Sequence, residues 1–318
     1  MSVPREGTVN SGKPSPPYHR FNDFIDTKND RFDVLMSLLD EMKLPVSVVN
    51  IAGKRHIFVA SQSYTLRAGE KRGPVVLAAH YDRTQGSPGA NDNGAAVFML
   101  IEAALRLRGR AAGEWLIIFT DKEELMSGEG IKSQGSYLLA QGLGRVGLET
   151  GWFFIFDACG RGDTLIISKT AGHLLKNFHS GEVAPLKNRL RQLQLRAIGA
   201  AKNSLDGRFL LLPTPFSDDA GFLRAGMAAQ TITVLPEKEA ADFSVIVRRN
   251  DLYVNALISG EQRQRRGVEH IPKTWRLLNS PEDTAARLDG NNFESVVQFA
   301  VELCMPGCAG IRRTYAKS

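Results

Sequence analysis

Residues 73–96 read GPVVLAAHYDRTQGSPGANDNGAA. GPVVLAAH (73–80) is a near-continuous apolar run of strand length, as expected for a strand covered on both faces. It ends in His80, then Asp82, and a Gly/Pro-rich turn carries Asp92 to the mouth of an apolar, helix-periodic segment, AAVFMLIEAALRLRG, which stops at Gly109. A buried strand followed by a helix is half of a βαβ unit, and the alternation continues in both directions.

Upstream, DRFDVLMSLLDEMK (30–43) places Phe32, Leu35, Leu38, Leu39 and Met42 on one helical face. PVSVVNI and RHIFVAS, joined by AGK, read as a strand pair with a short turn. Downstream, EWLIIFTD (114–121), GWFFIFD (151–157), DTLIIS (163–168) and AAQTITVL (228–235) read as strands. SQGSYLLAQGL (133–143) and most of AGHLLKNFHSGEVAPLKNRLRQLQL read as helix. Strands separated by helices predict one α/β domain over 30–318 with a largely parallel sheet. Residues 1–29 are expected to be a tail or an arm lying on the body, and 236–274 an insertion-like segment.

The totals narrow the function. Composition is that of a globular protein, 43% hydrophobic and 23% charged, and no apolar run nears the ~20 residues a membrane helix needs. The N-terminus has no apolar signal segment, so the expected location is cytoplasmic and no membrane partner is expected. Cys159, Cys304 and Cys308 make no disulfide framework and are read as plain thiols. Net charge is +6, yet the densest basic run, EQRQRRG (261–267), lacks interleaved aromatics and reads as a solvated loop. No nucleic-acid partner is expected, although the charge can attract acidic partners or substrates.

In open α/β sheets ligands sit beyond the carboxyl ends of the strands. There the first strand brings His80 and Asp82, the second Asp121, Glu123 and Glu124, and the third Asp157, with Asp92 on the turn. Each alone has an ordinary reading, such as a core histidine, a helix cap or a solvated charge. Together they would repel one another without a cation. One histidine with Asp and Glu oxygens suits zinc, and a site so rich in carboxylates can hold two ions. Residues i and i+2 of a strand share a face, so Asp82 can orient the His80 ring from behind. Of the adjacent pair Glu123 and Glu124, one can ligate while the other acts as general base.

The ordered set AHYD, GANDNGAA, FTDKEEL, FDACGRGD, FSDDAGF and NSPEDT resembles the co-catalytic zinc aminopeptidases, a metallopeptidase family that also includes glutamate carboxypeptidases and glutaminyl cyclases. The resemblance covers roughly residues 30 to 300. It implies a mixed, mostly parallel sheet with helices on both faces, and a peptide or aminoacyl substrate. It further implies that His80, Asp92 and Asp157 ligate one metal, that Asp92 bridges to a second, and that Glu124 ligates that second ion. Glu123 is implied as the general base, and Asp218 as a residue beside the substrate end of the cleft. Where the family places its last histidine ligand, this chain has Asn279. An amide oxygen is a poor zinc ligand. The expectation is therefore a zinc exopeptidase of the aminopeptidase type, with one ion held firmly and a second position weak or filled by a harder ion. His270 or Asp283 could compensate, though neither sits at the family's position. A glutaminyl cyclase, or a non-catalytic binding protein with a residual metal site, is the alternative.

Overall fold

In the computed structural model the residues described are 17–61, 64, 73–176, 181–205, 208–249 and 270–307. The basic run 261–267 and Cys308 lie outside them. β1 (Val46–Ile51) and β2 (Lys54–Ala60) form a hairpin whose two-residue turn, Ala52 and Gly53, has φ of +50° and +81°. Positive φ at both turn positions matches the right-handed twist of the strands it joins. β3 (Val75–His80), β4 (Trp115–Thr120), β5 (Trp152–Phe156), β6 (Thr164–Ser168), β7 (Phe209–Leu212) and β8 (Ala229–Leu235) complete an eight-stranded sheet in the order β1-β2-β4-β3-β5-β8-β6-β7. Strands β4, β3, β5 and β8 run parallel, while β2 and β6 join this block antiparallel. The expected mixed, mostly parallel α/β sheet is the one found.

The helices are α1 (Phe21–Ile25), α2 (Arg31–Glu41), α3 (Ala95–Leu107), α4 (Gly135–Arg145), α5 (Thr170–Leu175), α6 (Ala184–Ser204), α7 (Asp218–Arg224), α8 (Glu237–Arg249), α9 (Lys273–Leu277) and α10 (Phe293–Cys304). Strand alternation sorts them onto the two faces. Val75, Leu77 and Ala79 of β3 join a core built with α2, α3, α6 and α10, while Val76 and Ala78 pack toward α4 and α7. Every residue of β3 and β4 is buried, which is why both read as unbroken apolar runs. At the far end, Ile166 and Leu212 pack with Phe243 of α8 and Trp275 of α9. Within 17–29, Phe21 and Phe24 are buried with their rings 5.1 and 5.4 Å from that of Phe98 on α3. Cys159 and Cys304 are buried.

Candidate metal centre

β3 and β4 are neighbours in register, so their ends deliver side chains to one place: His80 pairs with Thr120, and the loops beyond run side by side. His80 is fully buried. Its Nε2 lies 3.0 Å from Asp92 Oδ1 and 3.8 Å from Asp157 Oδ1. Its Nδ1 lies 3.4 Å from Asp82 Oδ1. None of these contacts has hydrogen-bond geometry, and both ring nitrogens lack a hydrogen-bond partner, as do the buried Asp157 Oδ1 and Glu124 Oε1. Donor atoms of His80, Asp92 and Asp157 all fall within 4.8 Å of one another, and so do those of His80, Glu123 and Glu124.

Electrostatics mark the same place. Burial by itself would push the His80 imidazole down, but Asp157, Asp82 and Asp92 around it hold it well above the usual histidine range. Burial raises Asp92, raises Glu123 well above the ordinary carboxylate range and pushes Glu124 up to about 8. Buried carboxylates this close need a positive charge among them. Orphaned donor atoms and an imidazole-plus-carboxylate set fit a zinc ion, which takes His nitrogen and carboxylate oxygen together.

The supporting contacts are largely backbone ones. Asp82 accepts the N–H of Glu123 at 3.1 Å and that of Glu124 at 3.0 Å, so it braces the β4 loop as well as facing His80. Despite burial, these bonds and His80 keep Asp82 below the usual carboxylate range. Asp283 accepts the N–H of Asn91 and of Asp92, both at 2.9 Å, and so acts as a brace of the Asp92 backbone, outside both ligand groupings. His270 is exposed and is likewise in neither grouping. Gly89, at φ +57°, makes the turn possible: a Cβ there would meet Asp92 O at 2.4 Å. Asp121 turns away and accepts the N–H of Arg55 at 2.8 Å. Asp218, fully buried at the start of α7, accepts from the Thr120 hydroxyl at 2.5 Å, and burial pushes it up to about 6.

Four residues at this place escaped the sequence reading. Gln134 Nε2 donates to Glu123 Oε1 at 3.1 Å and holds that carboxyl in place. Arg31, buried at the start of α2, donates to the carbonyls of Tyr81, Asp82, Pro88 and Gly89 at 2.6–3.1 Å. Asn91 Oδ1 accepts the Gly160 N–H at 2.7 Å, tying the Asp92 turn to the loop after β5. The Thr84 hydroxyl lies 2.8 Å from Glu124 Oε2 and 2.6 Å from Asn279 Oδ1. One hydroxyl proton cannot serve two acceptors. Either the Asn279 amide presents its nitrogen to Thr84 or Glu124 is protonated, and both leave Glu124 engaged by Thr84. No residue spacing announces such partners, because each works through a single hydrogen bond or through backbone carbonyls.

The model for peptidase family M28 matches residues 64–302. The chain belongs to peptidase family M28. No curated protein sequence matches it. Solved structures similar to this M28 chain include a zinc aminopeptidase from Bacillus subtilis, 18% identical with a TM-score of 0.50, covering 78% of this chain and 48% of the other. The M28 chain thus spans about half the length of that protein. A leucine aminopeptidase precursor from Bacteroides thetaiotaomicron is 16% identical with a TM-score of 0.59, covering 90% of this chain and 94% of that one. A glutaminyl cyclase from the same organism is 17% identical, also with a TM-score of 0.59, covering 90% and 95%. At such identities the likeness speaks for the fold alone.

Proposed function

We propose that this M28 protein is a zinc-dependent exopeptidase of the aminopeptidase type, hydrolysing peptide or aminoacyl substrates. The observation that carries this reading is the convergence of donor atoms of His80, Asp92 and Asp157 within 4.8 Å of one another, with the half-buried carboxyl of Glu123 grouped with the same His80. Those three side chains would hold the ion. Zinc, when bound there, supplies a Lewis acid that polarises a carbonyl and lowers the pKa of water. Glu123 takes the proton from the attacking water and returns it to the leaving amine. Gln134 fixes the direction of that carboxyl, and Asp82 fixes its backbone while orienting the ring of His80. Asp218, anchored by Thr120, flanks the substrate end. The place that Glu124 would serve with Asn279 is already bridged by Thr84, which supports a second position that is weak or taken by a harder ion.

The test is hydrolysis of aminoacyl nitroanilides by protein purified without chelator. Activity lost to chelator and restored by zinc is the expected result. Cyclisation of N-terminal glutamine without hydrolysis would favour the cyclase reading. Zinc bound with neither reaction would leave a binding protein, the reading that Asn279 favours.

A further inference from the structure

The net charge of +6 has no use at a centre built from carboxylates. Part of the excess gathers along the edge of the sheet. β7 is the last strand in the order, and among the described residues nothing pairs with its outer side. Here α6 covers one face, with Leu193 and Ala197 in the same core as Leu165 and Ile167, and α8 covers the other, with Phe243 beside Ile166 and Leu212. A cavity of about 1080 Å³ is lined by both helices and by the whole of β7. Lys169, Lys176, Lys187, Arg191 and Arg248 line it, against one carboxylate among the described residues, Asp219. No described carboxylate pairs with Lys169, Lys176, Arg191 or Arg248.

The strand itself is primed. The Leu165 N–H donates to Arg208 O at 3.3 Å and the Lys169 N–H to Leu212 O at 2.9 Å. Alternate residues of a parallel strand serve one neighbour, so Phe209 and Leu211 turn their N–H and C=O outward. At the inner end of the cavity, Asp219 Oδ2 and Thr231 Oγ1 have no hydrogen-bond partner, although the two residues are only 1% and 2% exposed.

We propose that this groove binds an extended acidic peptide segment, added as a strand along β7 with its carboxylates against the flanking lysines and arginines. Main-chain bonds to an exposed edge supply affinity, and charge selects the sequence. The occupant follows from complementarity. A second copy of a chain carrying +6 would be repelled, and the chain's own segment 261–267, EQRQRRG, has the wrong sign. Single-stranded nucleic acid needs stacking platforms, and among the described residues Phe209 is the one Phe, Tyr or Trp in the lining.

The probe is a fluorescein-labelled peptide of alternating Glu and Val, titrated into the whole chain and followed by anisotropy. Saturable binding is expected. The pair Arg191→Glu with Arg248→Glu should weaken it by about tenfold or more, while Lys28→Glu with Lys132→Glu, exposed and elsewhere with the same change in charge, should cost less than about twofold. Leu211→Pro removes one outward N–H without touching the ladder and should also weaken binding. Equal losses in the two charge pairs, or no saturable binding, would overturn the site. An unlabelled oligonucleotide of matched charge competing better than unlabelled peptide would overturn the ligand class. Charge sensitivity with an unaffected Leu211→Pro variant would overturn strand addition.

Discussion

The backbone N–H of Glu123 donates to Asp82 Oδ1 at 3.1 Å, which ties the general base proposed for this protein to the residue that faces His80. One carboxylate thereby sets both the ring and the loop after β4. Asp82→Ala should weaken zinc binding about 10–100-fold, the usual loss for an orienting partner, and leave more binding than His80→Ala does. Competition with a chelator measures it. Affinity equal to the parent's would remove Asp82 from that role.

Glu123→Gln keeps the shape of the side chain and its contact with Gln134 while losing the proton acceptor. Zinc content should stay near that of the parent, and hydrolysis should fall by about 10²–10⁴-fold. A variant that turns over aminoacyl substrate at the parental rate would show that another group takes the proton.

Asn279 sits at φ +59°, a left-handed conformation that asparagine and histidine both adopt more readily than most residues. Asn279→His should therefore be accommodated by the backbone. It should break the Thr84 bridge to Glu124, raise zinc stoichiometry toward two per chain and increase peptidase activity. Two tightly held zinc ions in the parent, with no gain in the variant, would show that Asn279 leaves the second position intact.

Burial, helped by the charges of Asp157 and Asp218, pushes the Asp219 carboxyl up to about 7 from an ordinary 3.8. The folded chain thus binds a proton there that the unfolded chain releases, and the associated stability is full below about pH 4 and lost as pH rises through about 7. Its limiting slope is about 1.4 kcal/mol per pH unit. Urea denaturation between pH 5 and 7 should show the parent losing stability more steeply than Asp219→Asn, which keeps an oxygen to accept the Ser217 N–H. Parallel curves would mean that Asp219 does not titrate in that range.

The strands that lead to His80, Glu123 and Asp157 are legible in the sequence because burial on both faces makes each a continuous apolar run, so the ionisable residues at their ends stand out. β7 is not legible. It has four residues, three of them partly or fully exposed, and neither alternation nor a solid apolar block survives at that length. Asp283 is visible as a candidate ligand but not as a brace, since its task depends on the backbone of Asn91 and Asp92, which lie nearly two hundred residues earlier. Arg31 hides inside a segment whose apolar periodicity accounts for its helix without it.

That arginine bears on where the working unit of the molecule begins. The family match opens at residue 64, beyond both strands of the first hairpin and thirty-three residues past Arg31. A recombinant fragment trimmed to the matched stretch would retain every proposed ligand, yet the carbonyls of Tyr81, Asp82, Pro88 and Gly89 would lose their shared donor. Sequence ancestry and mechanical integrity have different borders in this chain, and the second lies closer to the N-terminus.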